Sequence, residues 1–232
     1  NGSKSSKIAF LSAGAGSGAS SCAIAFALNL VRKGKKVFYL NLELFNYGYI
    51  FNSYENSSLT DVIYIVKSRK SNLSIKIGAL IREDSSGVHY FPACRTPLDI
   101  KELNAEDIGI LIDAIDETGI YDYIVIDTDM NLSKETYAII GKSNKAVFVL
   151  DGSEIGNGKF NYMYNSLAIV EEQFNVKILN KAVILYNRFS SRTGRQLENS
   201  PLQTIGGCPR FEGTSSQIIE QLSTFPVFDT LA

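Results

Sequence analysis

The chain has 232 residues, of which 45% are hydrophobic and 20% are charged, and its formal net charge is −1. This composition is typical of a globular domain that can bury a large core, and the balanced charge argues against bulk electrostatic binding to nucleic acid. Three scattered cysteines and a single histidine exclude a disulfide framework and a histidine-rich metal site. No apolar run is long enough to predict a transmembrane helix.

Apolar runs alternate along the chain with segments of helical periodicity. The predicted strands are Lys7–Leu11, Val37–Leu40, Val88–Phe91, Tyr123–Ile126, Ala146–Leu150 and Ala182–Tyr186. The predicted helices are Ser20–Arg32, Leu59–Ser68, Ala105–Thr118, Lys134–Lys142, Gly158–Phe174 and Gly213–Leu222. This alternation predicts an α/β fold with a mostly parallel central sheet and helices on both faces.

Four segments do not follow this pattern. Residues 1–6 have no signal-peptide pattern and are interpreted as a linker or a cloning remnant, so that 7–232 form a single domain. Asn46–Ser58 is predicted to be a loop, and Ser71–Gly87 is ambiguous, with an extended excursion as one interpretation. Ser190–Gly207 is polar and rich in turn residues, which predicts a loop.

A small-residue loop, Ser12–Ala19, joins the first predicted strand to the first predicted helix. Its alternating glycines leave the backbone N–H groups open to a phosphate. An ordinary strand-to-helix turn is the alternative, but such turns need only about 2–6 residues. Ser20 and Ser21 begin the helix, where a hydroxyl can cap it or reach a metal ion. The predicted phosphate-binding residues are Gly14, Ala15, Gly16, Ser17, Gly18, Ala19, Ser20 and Ser21.

The loop lacks the lysine that ends a standard phosphate-binding loop. Gly18-Ala19-Ser20 stands where Gly-Lys-Ser or Gly-Lys-Thr is usual. A charged hydrogen bond of that kind contributes about 1.5–3 kcal/mol, and electrostatic stabilisation supplies most of phosphoryl-transfer catalysis. The loop therefore predicts phosphate binding more strongly than it predicts an active NTPase.

A second motif, YDYIVIDTD at Tyr121–Asp129, is an apolar strand that ends in Asp127. A carboxylate at this place can hold Mg²⁺ together with the Ser20 hydroxyl. An acidic residue at a strand end is common, so the motif is a weak signal alone and indicates a metal site only together with the glycine loop. Ser20 and Asp127 are the predicted metal ligands. Asp127 is also a predicted catalytic residue.

Four segments together resemble the MinD/ParA group of deviant-Walker P-loop ATPases. They are KIAFLSAGAGSGASSCAIAFALNLVRKGKKVFYLNLE, IVIDTD, AVILYNR and CPRFEGTSSQIIEQL. The branch that they resemble most is the TadZ/CpaE proteins of pilus assembly, which often have a small residue at the place of Ala19. Gly14 stands where the group's signature lysine would reach across a dimer. Asn41 and Glu43 stand where the group has a pair of aspartates after the second strand, and Glu43 is the second predicted catalytic residue because it could orient a water.

The resemblance implies a P-loop NTPase-like fold and roles for residues near the C-terminus. Asn187 would read the adenine edge, with Arg188 beside it, and the loop from Pro209 to Phe211 would cover the base. Its cofactors would be ATP and Mg²⁺. It also implies an upstream receiver-like domain, a homodimer, and pilus or secretion machinery as partners. Specific nucleic-acid binding and direct membrane insertion are not expected.

The resemblance places the protein in the cytoplasm, at a pole or near the membrane through its partners. Its function would be the localisation and assembly of a type IV-like (Tad) pilus machine, with an ATPase activity that is slow at most. Two alternatives stay open, namely an active Mg²⁺-dependent ATPase of partitioning or positioning and a nucleotide-independent scaffold. A bacterial tyrosine kinase is disfavoured because the C-terminal residues FPVFDTLA contain no tyrosine cluster.

Overall fold

The computed structural model describes residues 4–12, 14, 16–46, 51, 57–69, 71–174, 177–192, 194–198 and 200–232. Its strands are β1 (Ser6–Ser12), β2 (Val37–Asn41), β3 (Arg82–Glu83), β4 (His89–Tyr90), β5 (Tyr123–Asp129), β6 (Lys145–Leu150), β7 (Ala182–Tyr186) and β8 (Gln203–Gly207). They form one sheet in the order β3-β4-β2-β5-β1-β6-β7-β8. The β3–β4 pair is antiparallel, and the other pairs are parallel.

Helices cover both faces of this sheet. They are α1 (Ala19–Arg32), α2 (Leu59–Lys67), α3 (Leu73–Gly78), α4 (Pro97–Ile100), α5 (Ala105–Asp116), α6 (Lys134–Lys142), α7 (Glu154–Phe174) and α8 (Ser215–Ser223), with short 3-10 helices at Leu179–Lys181 and Pro226–Thr230. The predicted fold class is therefore confirmed. Within the described part of the chain, no helix is both long and apolar enough to cross a bilayer.

The central strand β1 shows how the sequence builds the two layers of the core. Successive side chains of a strand point to opposite faces of the sheet. Ile8 and Phe10 accordingly join one apolar cluster, which includes α1 and α8, while Ala9 and Leu11 join the other. Because both faces are covered, β1 is apolar from Ile8 to Leu11, which is typical of a parallel strand.

The structure differs from the sequence-based prediction at several elements. Ser190–Gly207 was predicted to be a loop, but its last residues form β8, which pairs with the edge of β7. The prediction was wrong because β8, Gln-Thr-Ile-Gly-Gly, has only one strongly apolar side chain. The ambiguous Ser71–Gly87 contains α3 and β3, and α7 begins at Glu154, four residues before the predicted start. Most of the predicted loop Asn46–Ser58 lies outside the described residues.

Because these strands are parallel, the carboxyl ends of four of them lie at the same end of the sheet. β1 leads there into the glycine loop, β5 ends in the acidic motif, and β2 and β7 lie on either side of this pair. In open α/β sheets, ligands bind just beyond the carboxyl ends of the strands. The fold therefore collects motifs that are far apart in sequence.

A buried ion pair fixes the opposite end of β1. The ammonium group of Lys7 lies 2.7 Å from Oδ2 of Asp116 at the end of α5, and both side chains are less than a tenth exposed. The backbone N–H and hydroxyl of Ser5 donate to Oδ1 of the same carboxylate, at 2.9 and 2.5 Å. Burial alone would raise the pKa of Asp116, but the donors from Lys7 and Ser5 outweigh it and lower the pKa.

We expect Asp116→Asn to lower the free energy of unfolding by about 3–5 kcal/mol, because it leaves the Lys7 charge buried without a partner. Urea denaturation at pH 7 measures this change. Asp113→Asn is the matched control on the same helix, since Asp113 pairs with Lys142 at the surface and should cost at most about 1 kcal/mol.

The same experiment has a pH dependence with a defined sign. A carboxyl group whose pKa is lowered by folding stabilises the protein above its ordinary pKa, and this contribution is lost as the pH falls through the folded pKa. The difference between wild type and Asp116→Asn should therefore shrink in acid. A difference that stays constant from pH 7 to strongly acidic pH would contradict this role of Asp116.

Candidate functional site

The N-terminus of α1 has no side chain that caps it. Its N-cap residue is Gly18, whose φ of 84° lies in the left-handed region, and the first turn contains no acidic side chain. The first N–H groups of a helix have no partner within the helix and attract negative charge. This terminus can therefore accept an anionic ligand.

Side chains at the carboxyl ends of β7 and β1 bind the carbonyl oxygens of the glycine loop. The Asn187 side-chain amide donates to the Ser17 carbonyl oxygen at 2.9 Å, and Nη1 of Arg188 donates to that of Gly16 at 2.9 Å. On the β1 side, the hydroxyl of Ser12 donates to the Gly14 carbonyl oxygen at 2.5 Å. Because these carbonyl groups are engaged, the loop offers a ligand mainly its remaining N–H groups.

Gly18 is required at its position for two reasons. Its φ of 84° is one that L side chains rarely adopt, and a Cβ atom built there would collide with the amide nitrogen of Asn187. Gly14 has open space around it and no such backbone constraint. Ala15, which was also predicted to line the phosphate, lies outside the described residues. Gly18 is therefore required by the backbone and by Asn187, whereas Gly14 is not, and the sequence pattern did not reveal this difference.

A cluster of hydroxyl and carboxylate groups lies beside the first turn of α1. The Ser20 hydroxyl donates to Oε1 of Glu43 at 2.8 Å. On the neighbouring strand, the Tyr39 hydroxyl donates to Oδ2 of Asp127 at 2.7 Å. Oδ1 of Asp127 is buried and has no hydrogen-bond partner among the described residues. Ser20, Glu43 and Asp127 are thus brought together, as the sequence analysis predicted for a shared site.

Burial raises the pKa of Asp127 well above its usual range, and the nearby charge of Glu43 raises it further. Burial also raises the pKa of Glu43, although the hydrogen bond from Ser20 opposes this. Two carboxyl groups in such surroundings favour either a proton or a cation between them. The unpartnered oxygen of Asp127 and the Ser20 hydroxyl are hard oxygen donors of the kind that Mg²⁺ prefers.

Within the described residues, no group of three or more His, Cys, Asp or Glu side chains could hold a metal ion by itself. Mg²⁺ is usually bound by one or two carboxylates together with substrate phosphates and water. The unpartnered Asp127 oxygen and the Ser20 hydroxyl fit a Mg²⁺–nucleotide complex of this kind.

The sequence analysis missed two residues that hold this cluster. Tyr39 orients Asp127 and accepts a hydrogen bond from the Asn41 amide at 3.3 Å. Asp129 accepts from the backbone N–H of Leu44 at 2.9 Å and so fixes the chain after β2. The second acid of IDTD is visible in the sequence as a signal for Asp129. Tyr39 gave no signal, because a tyrosine in a buried strand is ordinary.

The residues predicted to surround a base line one cavity of about 160 Å³. Its lining comprises Ser21, Asn187, Arg188, Pro209, Arg210, Phe211, Ile218 and Leu222. Arg210 was not predicted, although it lies between two residues that were. The Asn187 side chain is only 2% exposed. Since its amide group already binds Ser17, its reading of adenine stays a prediction.

Comparisons with known proteins agree with this architecture. No protein-family model and no curated protein sequence matches the chain. Among solved structures, a ParA family ATPase from Chlorobium tepidum TLS has a TM-score of 0.71 at 18% identity, over 97% of this chain and 92% of that one. MinD in the MinC:MinD cell division complex of Aquifex aeolicus has a TM-score of 0.71 at 17% identity, over 97% and 94%.

A third solved structure is the septum site-determining protein MinD from Pyrococcus horikoshii OT3 in complex with Mg-ADP. Its TM-score is 0.68 at 16% identity, and the match covers 94% of each chain. These three matches extend over nearly the whole of each chain. The chain therefore has the fold of the MinD/ParA P-loop ATPases.

Gly18→Ala tests the geometry of the loop. We expect it to lower the free energy of unfolding by more than about 1 kcal/mol, because alanine is strained at positive φ and its Cβ atom would displace Asn187. Gly14→Ala is the control, and it should change stability by no more than about 0.5 kcal/mol. Chemical denaturation of both variants measures the difference. Equal effects of the two substitutions would mean that the loop has another conformation.

Proposed function

We propose that the chain is an ATP-binding protein of the MinD/ParA type that needs Mg²⁺ and hydrolyses ATP slowly or not at all. The observation that supports this most directly is the uncapped N-terminus of α1 beside the unpartnered oxygen of Asp127. A phosphate on the helix N-terminus would lie next to a carboxylate that favours a cation. An ordinary strand-to-helix turn has no need of this combination.

In this proposal the glycine loop surrounds the phosphates, and Ser21 meets the α-phosphate. Ser20 and Asp127 hold Mg²⁺, which neutralises phosphate charge when it is bound. Asn187, Arg188, Pro209 and Phe211 enclose the base in the cavity that they line. The Ser20 oxygen can bind the cation through a lone pair while its hydrogen still donates to Glu43, so that metal binding and the position of Glu43 are coupled.

The absence of a loop lysine supports slow turnover. Between Ser12 and Ser21 the chain contains no basic side chain, so no loop cation can follow the charge that develops during phosphoryl transfer. The second candidate, an active Mg²⁺-dependent ATPase, is favoured by one contact. The Glu43 carboxylate lies 2.8 Å from the Ser20 hydroxyl, near enough to the proposed metal site to orient a water.

We further propose a role in placing and assembling a type IV-like pilus machine, as in the TadZ/CpaE branch. The support is the small residue Ala19 in place of the lysine, together with the resemblance of the remaining motifs. A homodimer, machinery proteins as partners and a cytoplasmic location follow from the same proposal. One of the similar solved structures is itself a complex of MinD with the protein MinC.

Calorimetric titration with ATP, with and without Mg²⁺, tests nucleotide binding. We expect Ser20→Ala to weaken binding about tenfold in the presence of Mg²⁺ and to have little effect in EDTA, because it removes only a metal ligand. Ser21→Ala is the matched control, and it should weaken both titrations alike. Unchanged Mg²⁺-dependent binding in Ser20→Ala would remove Ser20 from the metal site. No binding by the wild type would favour a nucleotide-independent scaffold.

A phosphate-release assay on the same samples decides between the two candidates. We expect no turnover or slow turnover from the wild type. If phosphate is released rapidly and Glu43→Gln abolishes this without weakening ATP binding, the active ATPase is the correct function. The Gln side chain keeps an oxygen that can accept from Ser20 but cannot act as a base, so the variant separates the two roles of Glu43.

A further inference from the structure

A second cavity of about 230 Å³ lies against the glycine loop, on the side of β6 and α7. The loop contributes Gly14 and Ser17 to its lining, the chain after β6 contributes Asp151, and α7 contributes Lys159. None of the motifs predicted from the sequence includes α7. The cavity therefore connects the proposed phosphate site to a helix that has no role in it so far.

Local structure fixes which face of α7 lines this cavity. The Ser153 hydroxyl accepts a hydrogen bond from the backbone N–H of Gly156 at 3.0 Å, which caps the first turn of the helix. Ile155 and Gly156 line the cavity, and Lys159 follows them by four and three residues. Residues at this spacing share one face of a helix. The position of Lys159 beside the loop is thus set by the start of α7.

Lys159 is exposed and forms no ion pair within the described part of the chain. The acid that shares its cavity, Asp151, is already engaged, since the N–H and hydroxyl of Ser153 donate to its Oδ1 at 2.9 and 2.7 Å. Arg188, the other cation near the loop, donates to the Gly16 carbonyl oxygen. Lys159 is therefore a cation next to the loop that no described acid holds.

We propose that Lys159 binds the polyphosphate of the nucleotide within its own chain and replaces the lysine that the loop lacks. This inference rests on the proposed function, because it concerns the same ligand. A lysine ammonium on its flexible four-carbon stem can reach across a cavity of this size. The space next to Gly14, on the loop side of the cavity, is open, because a Cβ atom built on Gly14 would have no neighbour within 4 Å. The charge then acts from α7 and not from the first turn of α1.

The role of Lys159 predicts a dependence on the number of phosphates. Its charge should contribute to the binding of ATP and ADP, whose terminal phosphates extend along the loop, and little to that of AMP. Calorimetric titration of the full chain with the three nucleotides, at low ionic strength and with Mg²⁺, measures this. The variants are Lys159→Gln, which removes the charge, and Lys159→Arg, which keeps it.

We expect Lys159→Gln to weaken binding of ATP and ADP about tenfold and that of AMP by less than about twofold. Lys159→Arg should bind ATP within about threefold of the wild type. The control is Lys35→Gln, which removes an equal charge from an exposed residue. Lys35 lies between α1 and β2, at the amino end of β2 and therefore at the end of the sheet opposite to the glycine loop. It should bind all three nucleotides like the wild type.

Two other outcomes would overturn the inference, and they differ in what they say of the function. If the wild type binds ATP and Lys159→Gln binds ATP equally well, or loses affinity for ATP and AMP alike, Lys159 does not contact the terminal phosphates and the proposed function stands. If the wild type binds no nucleotide, the proposed function fails and the role of Lys159 fails with it. Melting temperatures of the variants, which should equal that of the wild type, exclude unfolding as the cause.

Discussion

The hydrogen bond from Asn187 to the Ser17 carbonyl oxygen is the interaction on which the candidate site depends. A loop of glycines and other small residues has little rigidity of its own, because glycine restricts the backbone least. Asn187 and Arg188, at the end of β7, hold two successive carbonyl groups of this loop. The contact requires Gly18, since any Cβ atom there would meet the Asn187 amide. The loop conformation is therefore linked, through the Asn187 side chain, to the cavity that this residue lines.

Electrostatics divides the site into two regions. Asp127 is buried and Glu43 is half-buried next to the helix N-terminus, and burial raises the pKa of both, so this region favours a cation. The basic side chains, Arg188 and Lys159, lie outside the loop, on the sides of β7 and α7. A nucleotide with Mg²⁺ would bring negative charge to the second region and positive charge to the first. In the proposed function, this complementarity would let a loop without lysine bind a polyphosphate.

Much of the fold could be predicted from the sequence, because long apolar strands and amphipathic helices have strong periodic signals. β1, α1, β5 and β7 were all predicted to within three residues at each end. β8 and the start of α7 were not. β8 is an edge strand whose Gly and Gln residues have no apolar alternation, and α7 begins at Glu154 through a cap from Ser153, in a segment rich in glycine. Segments with such weak local signals adopt their structure through contacts with neighbouring residues and strands.

The sequence by itself indicated most of the groups that the candidate site brings together, namely the glycine loop, Ser20, Glu43, Asp127 and Asn187. These residues are recognisable because each lies at the end of a predicted strand or the start of a predicted helix. Only the tertiary structure decided how they are connected, including the hydrogen bonds from Tyr39 to Asp127 and from Asn187 to Ser17, and it placed Lys159 in the same cavity as Gly14. Such contacts join residues that are far apart in the chain. Their geometry depends on the order and register of the strands, which no local pattern encodes.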